Sequence, residues 1–98
     1  MQETGKVIFV DEVKRGISTK SGKEWQSQRF VIEVQERYPR RVACTIMGQE
    51  RVEKCALKLE ETLTIVGAVN AHEFNGSWFN EVEVFDVLDG GRSRLITI

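Results

Sequence analysis

Apolar and polar positions alternate along most of this chain. Over residues 25–35, Phe30, Ile32 and Val34 fall on one face. Trp25, Ser27, Arg29, Val31, Glu33 and Gln35 fall on the other, the period of a half-buried strand. Residues 41–47 repeat the pattern, with Val42, Cys44 and Ile46 directed inward and Arg41, Ala43, Thr45 and Met47 outward. Upstream, residues 4–14 contain Val7-Ile8-Phe9-Val10, a run suited to a buried strand. Residues 16–24 hold two glycines, three hydroxyl residues and two lysines and read as an exposed loop. Arg37-Tyr38-Pro39-Arg40 is a tight connection, because proline fixes its own φ and biases Tyr38 toward extended backbone.

The period changes at residues 49–58. Val52, Cys55 and Ala56 recur at i, i+3 and i+4 among charged neighbours, which predicts one short amphipathic helix. Residues 62–74 and 77–87 return to strand patterning, joined by Asn75-Gly76. Asn-Gly between alternating runs signals a hairpin, since a type I′ turn needs positive φ at both central residues. That register sets Val69 opposite Val82, with both directed into the core beside Leu63, Ile65 and Val84. Three strands, a short helix and two strands match an all-β, five-stranded OB-fold, a Greek-key barrel with its helix between strands 3 and 4. An SH3-like barrel or a five-stranded sandwich has a similar element count but explains the mid-chain helix less well.

Composition narrows the picture further. The 98 residues suit one domain, with residues 1–90 as the OB unit and residues 91–98 as a short C-terminal tail or extra strand. Gly90-Gly91 reads as a flexible joint between them. No apolar run approaches the roughly 18 residues of a spanning helix, and the start lacks the pattern of a secretory signal, so a cytoplasmic protein without membrane contact is expected. Cys44 and Cys55 read as reduced, core-filling thiols. One histidine, two cysteines and scattered carboxylates offer no metal set, cofactor loop or catalytic constellation, so neither an enzyme nor a cofactor is expected. His72, mid-strand and without a sequence partner, reads as a surface or interface residue.

The net charge of -1 conceals an asymmetry. Residues 14–41 carry eight cations against three anions, a net of +5, whereas residues 49–89 carry three cations against nine anions, a net of -6. A polyanion senses the local field rather than the total.

Three segments carry a family resemblance. They are Gly5-Lys6-Val7, Trp25 with Phe30-Val31-Ile32-Glu33, and Phe74-Asn75-Gly76-Ser77-Trp78-Phe79-Asn80-Glu81-Val82. Over roughly residues 4–88 the chain resembles a small bacterial OB-fold family that carries a domain-of-unknown-function label and is similar to single-stranded DNA-binding proteins. The resemblance implies single-strand binding. The chain's end, Asp89-Gly90-Gly91-Arg92-Ser93-Arg94-Leu95-Ile96-Thr97-Ile98, departs from the acidic partner-recruiting tail usual in those binders.

The second- and third-strand face of an OB-fold is its usual oligonucleotide surface. Here it carries Trp25, Arg29, Arg41 and Thr45, with Lys20 and Lys23 on the first loop and Arg37 and Arg40 at the following turn. Bases stack on aromatic rings while cations track phosphates. The hairpin tip adds Phe74, Trp78 and Phe79; by alternation Trp78 points with Val82, and Phe74 and Phe79 point the other way. Blander roles stand beside these. Trp25 can cap the barrel mouth, Arg29 and Arg41 can pair with Glu33 or another carboxylate, and the tip aromatics can stabilise the hairpin or form a subunit contact. The expected function is binding of single-stranded DNA, or RNA on the same face, without strong sequence preference, by a homo-oligomer (dimer or tetramer). The alternative is a protein-interaction or assembly module, to which Leu95-Ile96-Thr97-Ile98 would add a strand.

Overall fold

The computed structural model describes residues 1–95. Its strands are β1 (Gln2–Val10), β2 (Lys14–Ile17), β3 (Glu24–Val34), β4 (Arg40–Met47), β5 (Thr62–Phe74), β6 (Ser77–Asp89) and β7 (Arg92–Ser93), with α1 (Gln49–Cys55) between β4 and β5. The pairing runs β1-β5-β6-β4-β3-β2, and β1 also pairs with β3, so the sheet closes into a ring. Closure falls on a short parallel pairing of β4 with β6, Cys44 beside Val82 and Thr45 beside Glu83. This is an OB-fold.

β1 and β2 both run antiparallel along β3 and together make the first of the five principal strands. A bulge between Val7 and Phe9 re-phases β1: Val7 is buried, whereas Phe9 turns outward beside Val31. The expected loop over residues 16–24 is correspondingly shorter, because Gly16 and Ile17 pair with Trp25 and Glu24. A second bulge lies between Val66 and Gly67 of β5, where Phe85 is the extra residue on β6. It moves Val87 rather than Asp86 into the core, although Val84 and Asp86 share a parity.

The core gathers Phe30, Ile32, Ile46, Leu63, Ile65, Val82, Val84 and Val87 from the strands, with Val52 and Cys55 of α1 closing one end. Burial pushes the Cys44 thiol up to about 12 and the Cys55 thiol up to about 11, so both stay protonated packing groups. The helix stops at Cys55, three residues short of the expected end. Ala56 takes the left-handed conformation (φ 44°) and is exposed rather than buried, and its N–H donates to the Val52 carbonyl. That turn redirects the chain so that Leu57 packs against the core.

Three further expectations are corrected. Val69 does stand opposite Val82, but it is 61% exposed. β1 leaves β5 at Val66 and β4 leaves β6 beyond Val82, so no strand lies beneath Val69. Thr45 has the outward parity, yet it is only 7% exposed and its hydroxyl has no hydrogen-bond partner. It lies beside Arg29 of β3, where β6 closes against β4 and covers it, so its side chain is not exposed as the alternation predicts. Gly90 and Gly91 form a tight turn rather than a flexible joint, with φ 59° and 85° joining Asp89 to Arg92 of β7. Leu95 is buried in this chain's own core, and Ile96-Thr97-Ile98 lie outside the described residues, so the added strand loses its first residue to the core.

Two hairpins extend past the closed ring. One joins β2 to β3 through residues 18–23, and the other is the outer half of β5–β6, residues 68–80, exposed along its whole length. The radius of gyration is 13.9 Å, against about 12.6 Å for a compact chain of this length, a difference that reflects these projecting arms.

Candidate nucleic-acid interface

The outer face of β3 presents Trp25, Ser27 and Arg29 in succession, and the antiparallel register sets Gly16 opposite Trp25 and Lys14 opposite Ser27. Gly16 makes the platform possible. A Cβ at Gly16 would fall 2.5 Å from Cζ2 of Trp25, so the indole lies directly on the β2 backbone. Trp25 is 40% exposed, with its ring backed by β2 on one side. About 7 Å per two residues along β3 separates Trp25 from the Lys14–Ser27 pair, and a similar step leads to Arg29.

The β5–β6 arm stands opposite. Asn75 and Gly76 take φ 51° and 78° at its tip, so the expected I′ turn forms and the alternation persists to the end. His72 pairs with Phe79 and Phe74 with Ser77 on one face; Glu73 pairs with Trp78 and Val69 with Val82 on the other. Phe74 and Phe79, with His72 and Glu81, line a concavity of about 660 Å³ whose opposite wall is Lys14 and Arg29. Phe74 is 68% and Phe79 56% exposed, so neither ring is consumed by packing. Trp78 is equally exposed and lies on the other face of the arm, outside this concavity, although its pair partner Glu73 is among the lining residues.

The cations expected to form one track divide into two groups. Lys20 and Lys23 flank the turn of the β2–β3 arm, which Gly22 N–H to Ser18 carbonyl (2.8 Å) and Ser18 N–H to Lys23 carbonyl (2.9 Å) hold closed. Among the described residues, Lys14, Arg15, Lys20 and Lys23 make no ion pair. The second group is engaged. Arg40 bonds Glu3 and Glu36, each at 3.0 Å, and holds the Glu36 carboxyl below its ordinary range. Arg41 Nε lies 3.4 Å from Glu33, the cross-strand pairing weighed from the sequence, and Arg37 stands over the Tyr38 ring at 5.7 Å. Arg40 and Arg41 line a separate concavity of about 220 Å³ on the far side of the arm, with Val69 and Asn80.

The groove therefore brings together Arg29, Phe74 and Phe79 of the expected residues, with Trp25 continuing its floor. It leaves Arg37, Arg40, Arg41 and Trp78 elsewhere. Lys14, His72 and Glu81 are members that sequence reasoning passed over. Alternation carried the signal for two of them, since His72 shares parity with Phe74 and Glu81 with Phe79. Glu81 Oε1 lies 2.8 Å from His72 Nε2 and Glu81 Oε2 lies 3.6 Å from Arg29 Nε. The groove lining thus holds two cations (Lys14, Arg29), two carboxylates (Glu73, Glu81) and the histidine. Among the described residues no group of three or more His, Cys, Asp or Glu side chains could hold a metal, and no helix is long and apolar enough to cross a membrane.

A family model described as a domain of unknown function, DUF3127, matches residues 2–88, in agreement with the resemblance read from the residues. No curated protein matches the chain. Among solved structures, the chain is similar to the SSB domain of a Synechococcus sp. protein. The TM-score is 0.63 at 14% identity, covering 89% of this chain and 90% of that one. It is also similar to the N-terminal domain of the PriB protein from Thermoanaerobacter tencongensis, described as dimeric. There the TM-score is 0.64 at 17% identity, covering 90% of this chain and 91% of that one. At these identities the likeness is one of fold.

Proposed function

This chain belongs to the family described as a domain of unknown function, DUF3127, and we propose that it binds single-stranded nucleic acid in the groove between its two arms. The observation that carries the reading is the pairing of exposed rings with cations across one cleft: Phe74 and Phe79 on the β5–β6 arm face Lys14 and Arg29 on the body. Stacking on Phe74, Phe79 and Trp25 is indifferent to base identity, because every base has a π-face. Lys14 and Arg29 inside the groove, with Lys20 and Lys23 at its end, would follow the phosphates. Binding is then weakly sequence-dependent and strongly salt-dependent. The SSB domain among the structural neighbours supports the same direction. The PriB domain described as dimeric supports a second copy extending the site.

Titration of the tryptophan fluorescence with oligo-dT at increasing salt tests this. Quenching is expected, and log affinity should fall with log salt by about 0.7 per phosphate contacted. Phe79→Ala should weaken binding about 5- to 150-fold, the equivalent of about 1–3 kcal/mol of stacking. Arg29→Ala should lower the salt slope by about 0.7. Arg40→Ala, whose guanidinium serves Glu3 and Glu36, should leave that slope unchanged. Absence of binding at low salt, or affinity indifferent to salt, removes the reading.

One observation favours a second reading, a protein-interaction module. Trp78 and Val69 are exposed on the other face of the arm. A defined oligomer in solution that Trp78→Ala dissociates, with no oligo-dT binding by the parent, would select it.

A further inference from the structure

We propose that Glu81 takes the place in this groove, beside Arg29, that a phosphodiester of a bound strand would take, and that Glu81 stays against His72 when it yields Arg29. The inference rests on the groove being the single-strand site. Three features of Glu81 carry it. It projects from β6 into the same concavity as Phe74 and Phe79, and its side chain is only 15% exposed. One carboxylate oxygen, Oε1, lies 2.8 Å from His72 Nε2. The other, Oε2, meets Arg29 Nε at 3.6 Å, a loose ion pair that is too long for a hydrogen bond and leaves a well-exposed guanidinium.

The asymmetry decides what moves. An incoming phosphate offers Arg29 a bidentate partner in place of one distant carboxylate oxygen. Glu81 need not be stranded, because its close contact with His72 persists. The exchange is therefore charge for charge at Arg29, and it requires an anion; a neutral strand gains nothing from it.

The other charges of the groove place the exchange at Glu81. Lys14 of β2, Arg29 of β3, Glu73 of β5 and Glu81 of β6 line it, two cations against two carboxylates, and of the two carboxylates only Glu81 lies against Arg29. Arg40 and Arg41 of β4 lie across the arm, where Glu81 also borders the smaller concavity, and Glu83 on the same face of β6 is held by Asn70 at 2.7 Å.

Oligo-dT affinity of the full chain, measured against salt at fixed pH, supplies the test. Glu81→Gln should bind about 5-fold tighter than the parent at low salt and steepen the salt slope by about 0.7. With Arg29→Ala already in place, Glu81→Gln should lose most of that gain, because the arginine it would release is gone. Glu83→Gln, which removes a carboxylate from the same face of β6 outside the groove, should change affinity less than two-fold. The proposal is overturned if Glu81→Gln binds no tighter than the parent, if Glu83→Gln tightens equally, or if Glu81→Gln tightens as much when Arg29 is alanine. Failure of the parent to bind oligo-dT at any salt removes the single-strand reading itself, and the inference with it.

Discussion

A single missing side chain sets where the Trp25 ring lies. Gly16 has no special backbone angle to adopt; what it provides is space, since any Cβ there would intrude on the Trp25 ring. Gly16→Ala should therefore lift the indole away from β2 while changing stability by less than about 1 kcal/mol. A red shift of tryptophan emission with a near-constant melting temperature would verify this. Oligo-dT affinity should fall in Gly16→Ala, but less than in Trp25→Ala, which removes the ring altogether. At the same scale, Arg29 and Arg41 illustrate why a cation in sequence is not yet a binding cation. Both meet carboxylates, but Arg29 does so loosely inside the groove and Arg41 on the opposite side of the arm.

The β5–β6 arm is held at its base and free at its tip. At the base, a Cβ on Gly67 would lie 2.2 Å from the Glu83 carbonyl oxygen, a backbone atom that has little room to retreat. On the adjoining bulge, Arg51 of α1 donates through Nη2 to the Val84 and Phe85 carbonyls, each at 2.7 Å, and so ties helix to bulge. At the tip, a Cβ on Gly76 would meet nothing within 4 Å, and only its φ of 78° disfavours another residue. The same substitution should then have opposite reach. Gly67→Ala should destabilise the whole domain by about 1–3 kcal/mol and lower its melting temperature. Gly76→Ala should cost about 1–2 kcal/mol locally. Its signature is faster amide exchange at Phe74 and Ser77 with the melting temperature nearly unchanged.

Across the whole molecule, Arg94 joins segments that the barrel leaves separate. Its guanidinium donates to both oxygens of Glu61 (3.0 and 2.7 Å), to Asp89 (2.7 Å) and to the Cys55 carbonyl that ends α1 (3.0 Å). Hydrogen bonding from Arg94 holds the Glu61 carboxyl below the ordinary glutamate range. A carboxyl with a depressed folded pKa contributes stability above its unfolded value of about 4.3 and loses it as pH falls through the folded value. Arg94→Gln should therefore cost about 1–3 kcal/mol at neutral pH. In the acid range below about pH 4.3 the difference from the parent should shrink, which thermal unfolding across pH would reveal.

Strand and hairpin positions were legible in the sequence because alternation with period two and the Asn75-Gly76 turn are local properties of the backbone. The inward faces of β3 and β4, the helix between β4 and β5, and the opposed parity of Trp78 and Phe79 followed from them. What alternation cannot convey is where a strand loses its neighbours. Val69 and Val82 share a face, yet one is exposed and the other buried, because β1 and β4 leave the arm before Val69 is covered. Thr45 has outward parity and is buried because ring closure covers it. Bulges at Ile8 and Phe85 shift the phase by one residue through pairing across the sheet. The partition of the cations, with Lys14 and Arg29 facing the rings while Arg40 and Arg41 answer to Glu3, Glu36 and Glu33, likewise depends on residues far apart in sequence. Local patterning determined which faces exist; the closure of the ring decided which of them remain open to a ligand.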